Sequence, residues 1–215
     1  MSKHSRKIDS SIARKTATVV WFTGLSASGK SSTASAVEEK LVRMGFSVGQ
    51  LDGDQVRLGL CSDLGFSPAD RQENIRRITE VAKLMMRPGH IILVSAISPI
   101  RQDRQRARQL IGPQQFVEIY MNADLHHCEQ RDPKGLYQKA RAGLLKDFTG
   151  IDADYEPPEN PELILNSAEL SIDDASDAVI TTLIKLGRLD GIKLPSSPID
   201  PLNFLIFKRL LLNNS

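Results

Sequence analysis

The run Gly24-Leu25-Ser26-Ala27-Ser28-Gly29-Lys30-Ser31 spaces its glycines, lysine and serine as a phosphate-binding loop requires. The two glycines let the backbone turn tightly, so that its N–H groups point inward at phosphate oxygens. Lys30 places one positive charge near the β- and γ-phosphates of a nucleotide, and the Ser31 hydroxyl can join a Mg²⁺ shell. A helix that begins at about Lys30 adds the partial positive charge of its N-terminus. Such a pattern also arises by coincidence. Here the apolar run Val19-Val20-Trp21-Phe22 precedes it as a strand, and Ala34, Val37 and Leu41 follow at helical spacing. That context favours nucleotide binding over a plain glycine-rich turn.

Two carboxylates, Asp52 and Asp54, flank Gly53 directly after a second strand-like run, Phe46 to Leu51. Parallel sheets deliver functional residues at the carboxyl ends of their strands. Beside a phosphate loop, one carboxylate can accept a proton from an attacking hydroxyl while the other holds metal-bound water or substrate. A solvated Asp-Gly turn is the plainer alternative. Arg57, Arg71 and Asn74 come next, the last two spaced to share one face of a helix. Arginine suits a bidentate grip on phosphate or sulfate. Arg76, Arg77, Arg104, Arg106 and Arg108 are expected to be ordinary surface charge.

Arg131, Lys134, Lys139, Arg141 and Lys146 crowd a glycine-bearing stretch. This fits a mobile basic lid that excludes water and neutralises charge on a transferred phosphoryl group. The third strand ends Ser95-Ala96-Ile97-Ser98-Pro99, without the Asp that usually holds Mg²⁺ in nucleotide hydrolases. The carboxylate duty therefore falls to the second strand, as in small-molecule kinases rather than motors or switches. A guanine-reading Asn-Lys-x-Asp is absent, and the switch-like Asp147-Phe148-Thr149-Gly150 follows a basic helix rather than a strand. His126-His127-Cys128 lacks a second ligand cluster, and a structural or surface role is expected there.

The elements that must position these residues alternate. Strands are predicted over Thr18 to Phe22, Phe46 to Leu51, Ile91 to Ser95, Phe116 to Met121 and Leu163 to Leu165. Helices are predicted from Lys30 to Met44, from Asp70 to about Pro88, over Asp103 to Ile111 and over Asp173 to Leu186. Residues 55–69 read as an irregular connection, and 125–150 as helix and basic loop. The alternation argues for a three-layer α/β fold of the P-loop type, with a parallel sheet flanked by helices and the basic lid above it.

A chain of 215 residues suits one such domain. A net charge of +2 gives no case for bulk nucleic-acid binding, and no apolar run approaches the ~20 residues of a membrane span. Two cysteines, Cys61 and Cys128, indicate no disulfide framework and a reducing compartment. The expected organisation is a basic, serine-bearing N-terminal arm at 1–15, a domain at 16–187, and a linker and apolar tail at 188–215. The arm leaves organelle targeting open beside a cytoplasmic location. The tail, with Pro195, Pro198 and Pro201 before its apolar run, is expected to pack on the domain or on a partner subunit.

Over roughly residues 15–187 the chain resembles the adenylyl-sulfate kinase family, which uses MgATP to phosphorylate the 3′-hydroxyl of adenylyl sulfate in sulfate activation. The resemblance rests on Gly24 to Ser31, Leu51-Asp52-Gly53-Asp54, Asp63-Leu64-Gly65-Phe66-Ser67 and the stretch from Asp70 to Arg77. It continues through Ile97-Ser98-Pro99, the stretch from Arg131 to Tyr137, and Phe148-Thr149-Gly150-Ile151-Asp152. It implies ATP and Mg²⁺ as cofactors. Gly24, Leu25, Ser26, Ala27, Ser28, Gly29, Lys30, Ser31 and Ser32 would cradle ATP, helped by Arg141, with Ser31 and Asp52 toward the metal. Asp54 would be the base on the 3′-hydroxyl, assisted by Asp52 and Lys30. Arg57, Arg71 and Asn74 would grip the phosphosulfate, and Phe66 and Phe148 would sandwich the adenine. Ile97, Ser98, Lys134, Gly135 and Leu136 would complete the substrate pocket.

The family's serine matching Ser98 has been described as a phosphoserine intermediate, whereas direct in-line transfer needs none. The resemblance also implies a homodimer and an association with an ATP sulfurylase. The chain departs from the family pattern at Gln55, Leu58, Cys61, Ala96 and Ile100; Ala96 stands where a ring is habitual, so looser packing behind the pocket is expected. Two alternatives stay open on the sequence: a P-loop kinase for another small hydroxyl substrate, and a catalytically silent module that keeps the nucleotide loop.

Overall fold

The computed structural model describes residues 17–189; the N-terminal arm and the tail from 190 onward lie outside them. Five strands form one parallel sheet in the order β2-β3-β1-β4-β5. They are β1 (Thr18–Thr23), β2 (Ser47–Asp52), β3 (His90–Ser95), β4 (Phe116–Asn122) and β5 (Leu163–Asn166). The helices are α1 (Lys30–Arg43), α2 (Gly53–Leu58), α3 (Pro68–Met85), α4 (Arg101–Ile111), α5 (Leu125–Arg131), α6 (Leu136–Arg141) and α7 (Ile172–Lys185).

Alternation along β1 explains the three layers, because successive side chains of a strand point to opposite faces. Val20 and Phe22 pack with Val37 and Leu41 of α1 and Val179 and Leu183 of α7. Val19 and Trp21 pack with Ile75 and Ile78 of α3 and Ala107 and Ile111 of α4. A sheet covered on both faces needs strands that are apolar throughout, and β1 is buried at every position. A smaller core of Ala123, Cys128, Tyr137, Ala140 and Phe148 underpins the region of α5 and α6.

Local signals set the helix ends. Ser67 accepts from the Asp70 N–H to start α3, with Pro68 in its first turn. Ser171 does the same for α7 through the Asp174 N–H. Each such cap is worth about 1 kcal/mol. One expectation needs correction: of the stretch 55–69 expected to be irregular, residues 55–58 belong to helix α2 and 68–69 to α3. Asp52 is the N-cap of α2, its side chain accepting from the N–H groups of Asp54 and Gln55. Two glycines, Gly53 and Gly59, bracket this single short helix and hide its pattern in the sequence.

The sheet order reverses at β1, which β3 and β4 flank. Ligands of open α/β sheets bind beyond the strand ends at such a switch point. Among the described residues no helix is long and apolar enough to cross a membrane.

Candidate active site

The loop leaving β1 is shaped by backbone conformation. Gly24 has φ +146°, and a Cβ there would stand 2.6 Å from the Met121 carbonyl oxygen. Gly29 has φ +93° and is the N-cap of α1 with no side-chain cap bond, so the first-turn N–H groups of α1 are left for a ligand. Ser28 is fully buried and its hydroxyl has no hydrogen-bond partner. A buried hydroxyl without a protein partner, beside the uncapped start of α1, fits a loop that takes an anion. The Tyr137 hydroxyl donates to the Ser26 carbonyl at 3.0 Å, tying α6 to the loop.

Lys30 is buried and folds its ammonium onto the carbonyls of Gly24 (3.1 Å) and Leu25 (2.6 Å). Burial pushes its pKa down to about 8, against the opposing pull of Asp54 and Asp52. Ser31 Oγ donates to Asp52 Oδ2 at 2.5 Å. Asp52 therefore does two jobs, capping α2 with one oxygen and meeting Ser31 with the other. Among the described residues no group of three or more His, Cys, Asp and Glu could hold a metal alone. The hard oxygens of Ser31 and Asp52 suit Mg²⁺, which keeps several waters and takes its other ligands from phosphates.

Across the cavity, Asp54 forms an ion pair with Lys134 from the α5–α6 connection. Phe66 is half-exposed, and two guanidinium groups border its ring, Arg57 at 4.5 Å from the centroid and Arg71 at 5.6 Å. Arg57 donates to the Gly65 carbonyl (2.8 Å); Arg71 donates to the carbonyls of Phe66 (2.9 Å) and Asp147. Among the described residues neither arginine has a carboxylate at ion-pair distance, and burial lowers the pKa of both. Phe148 is buried, meeting Tyr137 edge-on at 5.0 Å. Asp152 accepts from the N–H groups of Asp147 (2.8 Å) and Phe148 (2.5 Å), fixing that turn.

Ser98 sits at φ +42°, a left-handed conformation that costs a residue with a side chain about 1–2 kcal/mol. Its hydroxyl is committed inward: Trp21 Nε1 donates to it at 3.0 Å, and it lies 3.0 Å from Thr23 Oγ1. Ala96 is buried in the cluster of Trp21 and Ile75, and a Cβ on Gly53 would meet it at 3.6 Å. The small residue there thus lets the start of α2 lie close to β3.

One cavity of about 990 Å³ joins these groups. That is at the upper end for a single-ligand pocket and leaves room for two nucleotides. Its wall includes Ser26 to Ser32, Asp52, Asp54, Arg57, Phe66, Arg71, Ile97, Ser98, Lys134, Leu136 and Phe148. Gly24, Leu25, Asn74, Gly135 and Arg141 fall outside the wall. Arg141 instead reaches Glu129 at 2.7 Å, and Asn74 is buried on α3 with its Oδ1 unpartnered.

The sequence reading missed Ser95, Thr149 and Ser167, which line the cavity as buried hydroxyls without partners. Arg131, expected in the basic lid, is part of the wall, and its guanidinium donates to the Ser167 carbonyl at 3.0 Å. Arg104 requires a correction as well: it is 2% exposed and paired with the buried Glu118 at 2.8 Å, not a surface charge.

Comparison with known proteins fits this geometry. The family described as adenylylsulphate kinase matches residues 16–166. An adenylyl-sulfate kinase of Geotalea daltonii is 55% identical over 173 residues, covering 80% of this chain and 85% of that protein. A solved APS kinase of Mycobacterium tuberculosis, in complex with AMPPNP and APS, is 50% identical with a TM-score of 0.75, covering 78% of this chain and 98% of that one. The hexameric APS kinase of Thiobacillus denitrificans is 35% identical with a TM-score of 0.61, covering 82% of this chain and 30% of that one. With a family match over most of its length, and with 85% of the Geotalea daltonii enzyme and 98% of the Mycobacterium tuberculosis chain covered at 50–55% identity, the protein belongs to the adenylyl-sulfate kinase family.

Proposed function

We propose that the chain transfers the γ-phosphoryl group of ATP to the 3′-hydroxyl of adenylyl sulfate, giving 3′-phosphoadenylyl sulfate and ADP. The observation that carries this reading is the half-exposed Phe66 ring bordered by Arg57 and Arg71, two guanidinium groups without a carboxylate partner, in the same cavity as the phosphate loop. An aromatic plate takes a nucleobase, and uncompensated guanidinium groups take a phosphosulfate. A phosphate loop alone would serve any phosphoryl acceptor.

In this mechanism the Gly24–Ser31 backbone and the Lys30 ammonium hold the ATP phosphates, and Lys30 leaves the carbonyls it now touches. Ser31 and Asp52 would hold Mg²⁺, which supplies charge neutralisation on the phosphoryl oxygens when bound. Asp54 takes the proton of the 3′-hydroxyl as that oxygen attacks. Lys134, already paired with Asp54, sits where negative charge gathers during transfer, and the 131–150 region closes over it. Arg57 and Arg71 orient the acceptor, with Phe66 and Phe148 on its base. Arg131, Ser167 and Leu170, which line the same cavity, would border the ATP base. The inward-facing hydroxyl of Ser98 supports direct transfer over a phosphoserine intermediate.

The finer terms of the proposal are a Mg²⁺ enzyme of the cytoplasm that assembles as a homodimer and serves sulfate assimilation beside an ATP sulfurylase. Family membership supports them, and a hexameric relative supports self-association. The test is purified protein with MgATP and adenylyl sulfate, product followed by chromatography, and Lys30→Ala and Asp54→Asn run alongside. Formation of 3′-phosphoadenylyl sulfate that both variants lose is the expected result. ATP binding without product would overturn the reading.

A further inference from the structure

The wall of the acceptor pocket at Ile97–Pro99 is held from behind by residues that do not line the cavity. Arg104 of α4 spends its guanidinium on three separate pieces of chain. Nε donates to Glu118 of β4 at 2.8 Å, Nη1 to the Ser98 carbonyl at 2.6 Å, and Nη2 to the Glu156 carbonyl at 2.7 Å. The segment after the lid returns the contact. The Glu156 N–H donates to the Pro99 carbonyl at 2.9 Å, and its carboxylate accepts from the Arg101 N–H at 2.7 Å. Tyr155 stacks on Tyr120 at 6.0 Å, and its hydroxyl lies 3.0 Å from Thr23 Oγ1. Thr23 in turn donates to the Ile97 carbonyl at 2.7 Å.

We propose that Arg104 and Tyr155 are positioning residues: with Glu156 they form a clasp that holds the strained Ser98 turn and couples the acceptor wall to the segment leaving the lid. The inference rests on the kinase reading for its kinetic consequence. Three considerations support it. Ser98 at φ +42° is a conformation that persists only where its surroundings over-determine it, and apart from a 3.3 Å hydrogen bond of its hydroxyl to the Ala96 carbonyl its hydrogen bonds run to this network or to Trp21. A guanidinium spreads its donors over a rigid planar fork that reaches three separated partners in fixed directions, whereas an ammonium's three donors sit on one rotating nitrogen. The same segment that clasps the wall follows the Phe148 turn, joined to it by the Thr149–Ala153 bridge, so movement of the lid stem reaches Ile97–Pro99 through short connections.

The chain supplies its own reporter. Trp21 is the only tryptophan, fully buried, and its indole N–H is bonded to Ser98 Oγ. Its emission therefore follows the state of the turn without any substrate present.

Two variants separate positioning from mere stability. Tyr155→Phe keeps the ring stack and removes only the hydroxyl. Arg104→Lys keeps the charge opposite Glu118 and removes the fork. In both, kcat/KM for adenylyl sulfate is expected to fall about tenfold, because small misplacements of a positioning wall are costly in rate. KM for ATP is expected to stay within about twofold, since the phosphate loop is held by other contacts. Trp21 emission in the ligand-free variants is expected to shift and to quench more readily with acrylamide. Wild-type values for adenylyl-sulfate kinetics and for Trp21 emission in both variants would overturn the clasp, whatever the melting temperature does. A wild-type protein that turns over no adenylyl sulfate would instead sink the kinase reading, leaving Trp21 emission to decide the clasp by itself.

Discussion

The two halves of the cavity are built by different means. The phosphate cradle is eight neighbouring residues shaped by positive φ at Gly24, Ala27 and Gly29, with the Ser28 hydroxyl and the Lys30 ammonium buried within the run. The acceptor half draws Arg57 from α2, Phe66 from the α2–α3 loop, Arg71 from α3, Ser98 from the β3–α4 loop, and Lys134 and Phe148 from the lid. A cradle of backbone groups is preorganised by the chain's local stereochemistry. An acceptor wall of side chains is joined across the cavity by long-range contacts such as Arg71 to the Asp147 carbonyl. Substitutions in the cradle should therefore abolish transfer to any acceptor, whereas substitutions in the wall should be read chiefly through adenylyl sulfate.

The sharpest break of that contrast is Lys30→Ala, expected to lower kcat/KM for both substrates by about 10³, the scale of removing one preorganised electrostatic donor. Asp54→Asn should lower kcat by about 10²–10⁴ as the loss of a general base, with ATP binding by isothermal titration nearly unchanged. If Asp54→Asn weakened ATP binding as much as it slowed turnover, Asp54 would belong to the cradle and the division would fail.

Phe66→Ala sits on the other side of the divide. Stacking on a base is worth about 1–3 kcal/mol by truncation, so KM for adenylyl sulfate should rise about 5- to 150-fold while KM for ATP stays put. Phe66→Tyr, which keeps the ring, should restore most of the loss. Equal effects of Phe66→Ala on both substrates would show that the ring supports the whole cavity rather than the acceptor.

The same contrast explains what could be read in the sequence. The cradle, the alternation of strands and helices and the two-sided burial of β1 are local patterns, and they appear directly in residue spacing. Helix α2 is hidden because Gly53 and Gly59 resemble turn residues, although an Asp such as Asp52 directly before the first turn is a capping signal. Arg104 was misread because Arg101 to Arg108 looks like a solvated charged face. The correcting signal lay elsewhere: Glu118 is a lone carboxylate in the apolar strand β4, and a buried charge needs a partner. Nothing local marks Ser95, Thr149 or Ser167, because their orphan hydroxyls become informative only when the cavity brings them together.

The smallest expected effect sharpens the cradle itself. Burial lowers the folded-state pKa of Lys30 to about 8, below its unfolded value of 10.5, with Asp54 and Asp52 opposing and Lys134 adding to the shift. Between those two values the unfolded chain binds more protons than the empty folded protein, so the contribution of this group to stability rises with pH across that window. Nucleotide reverses the balance, because phosphate charge favours the ammonium form. Above pH 8 the empty protein must take up a proton to bind ATP, and the dissociation constant should rise by up to about tenfold per pH unit. Calorimetry at pH 9 in two buffers of different ionisation enthalpy should then show uptake approaching one proton. In Lys30→Arg, whose guanidinium stays charged, the affinity should be flat over the same range. A flat profile in the wild type would mean that Lys30 is already charged in the empty cradle, and that the carbonyls of Gly24 and Leu25 compensate its burial.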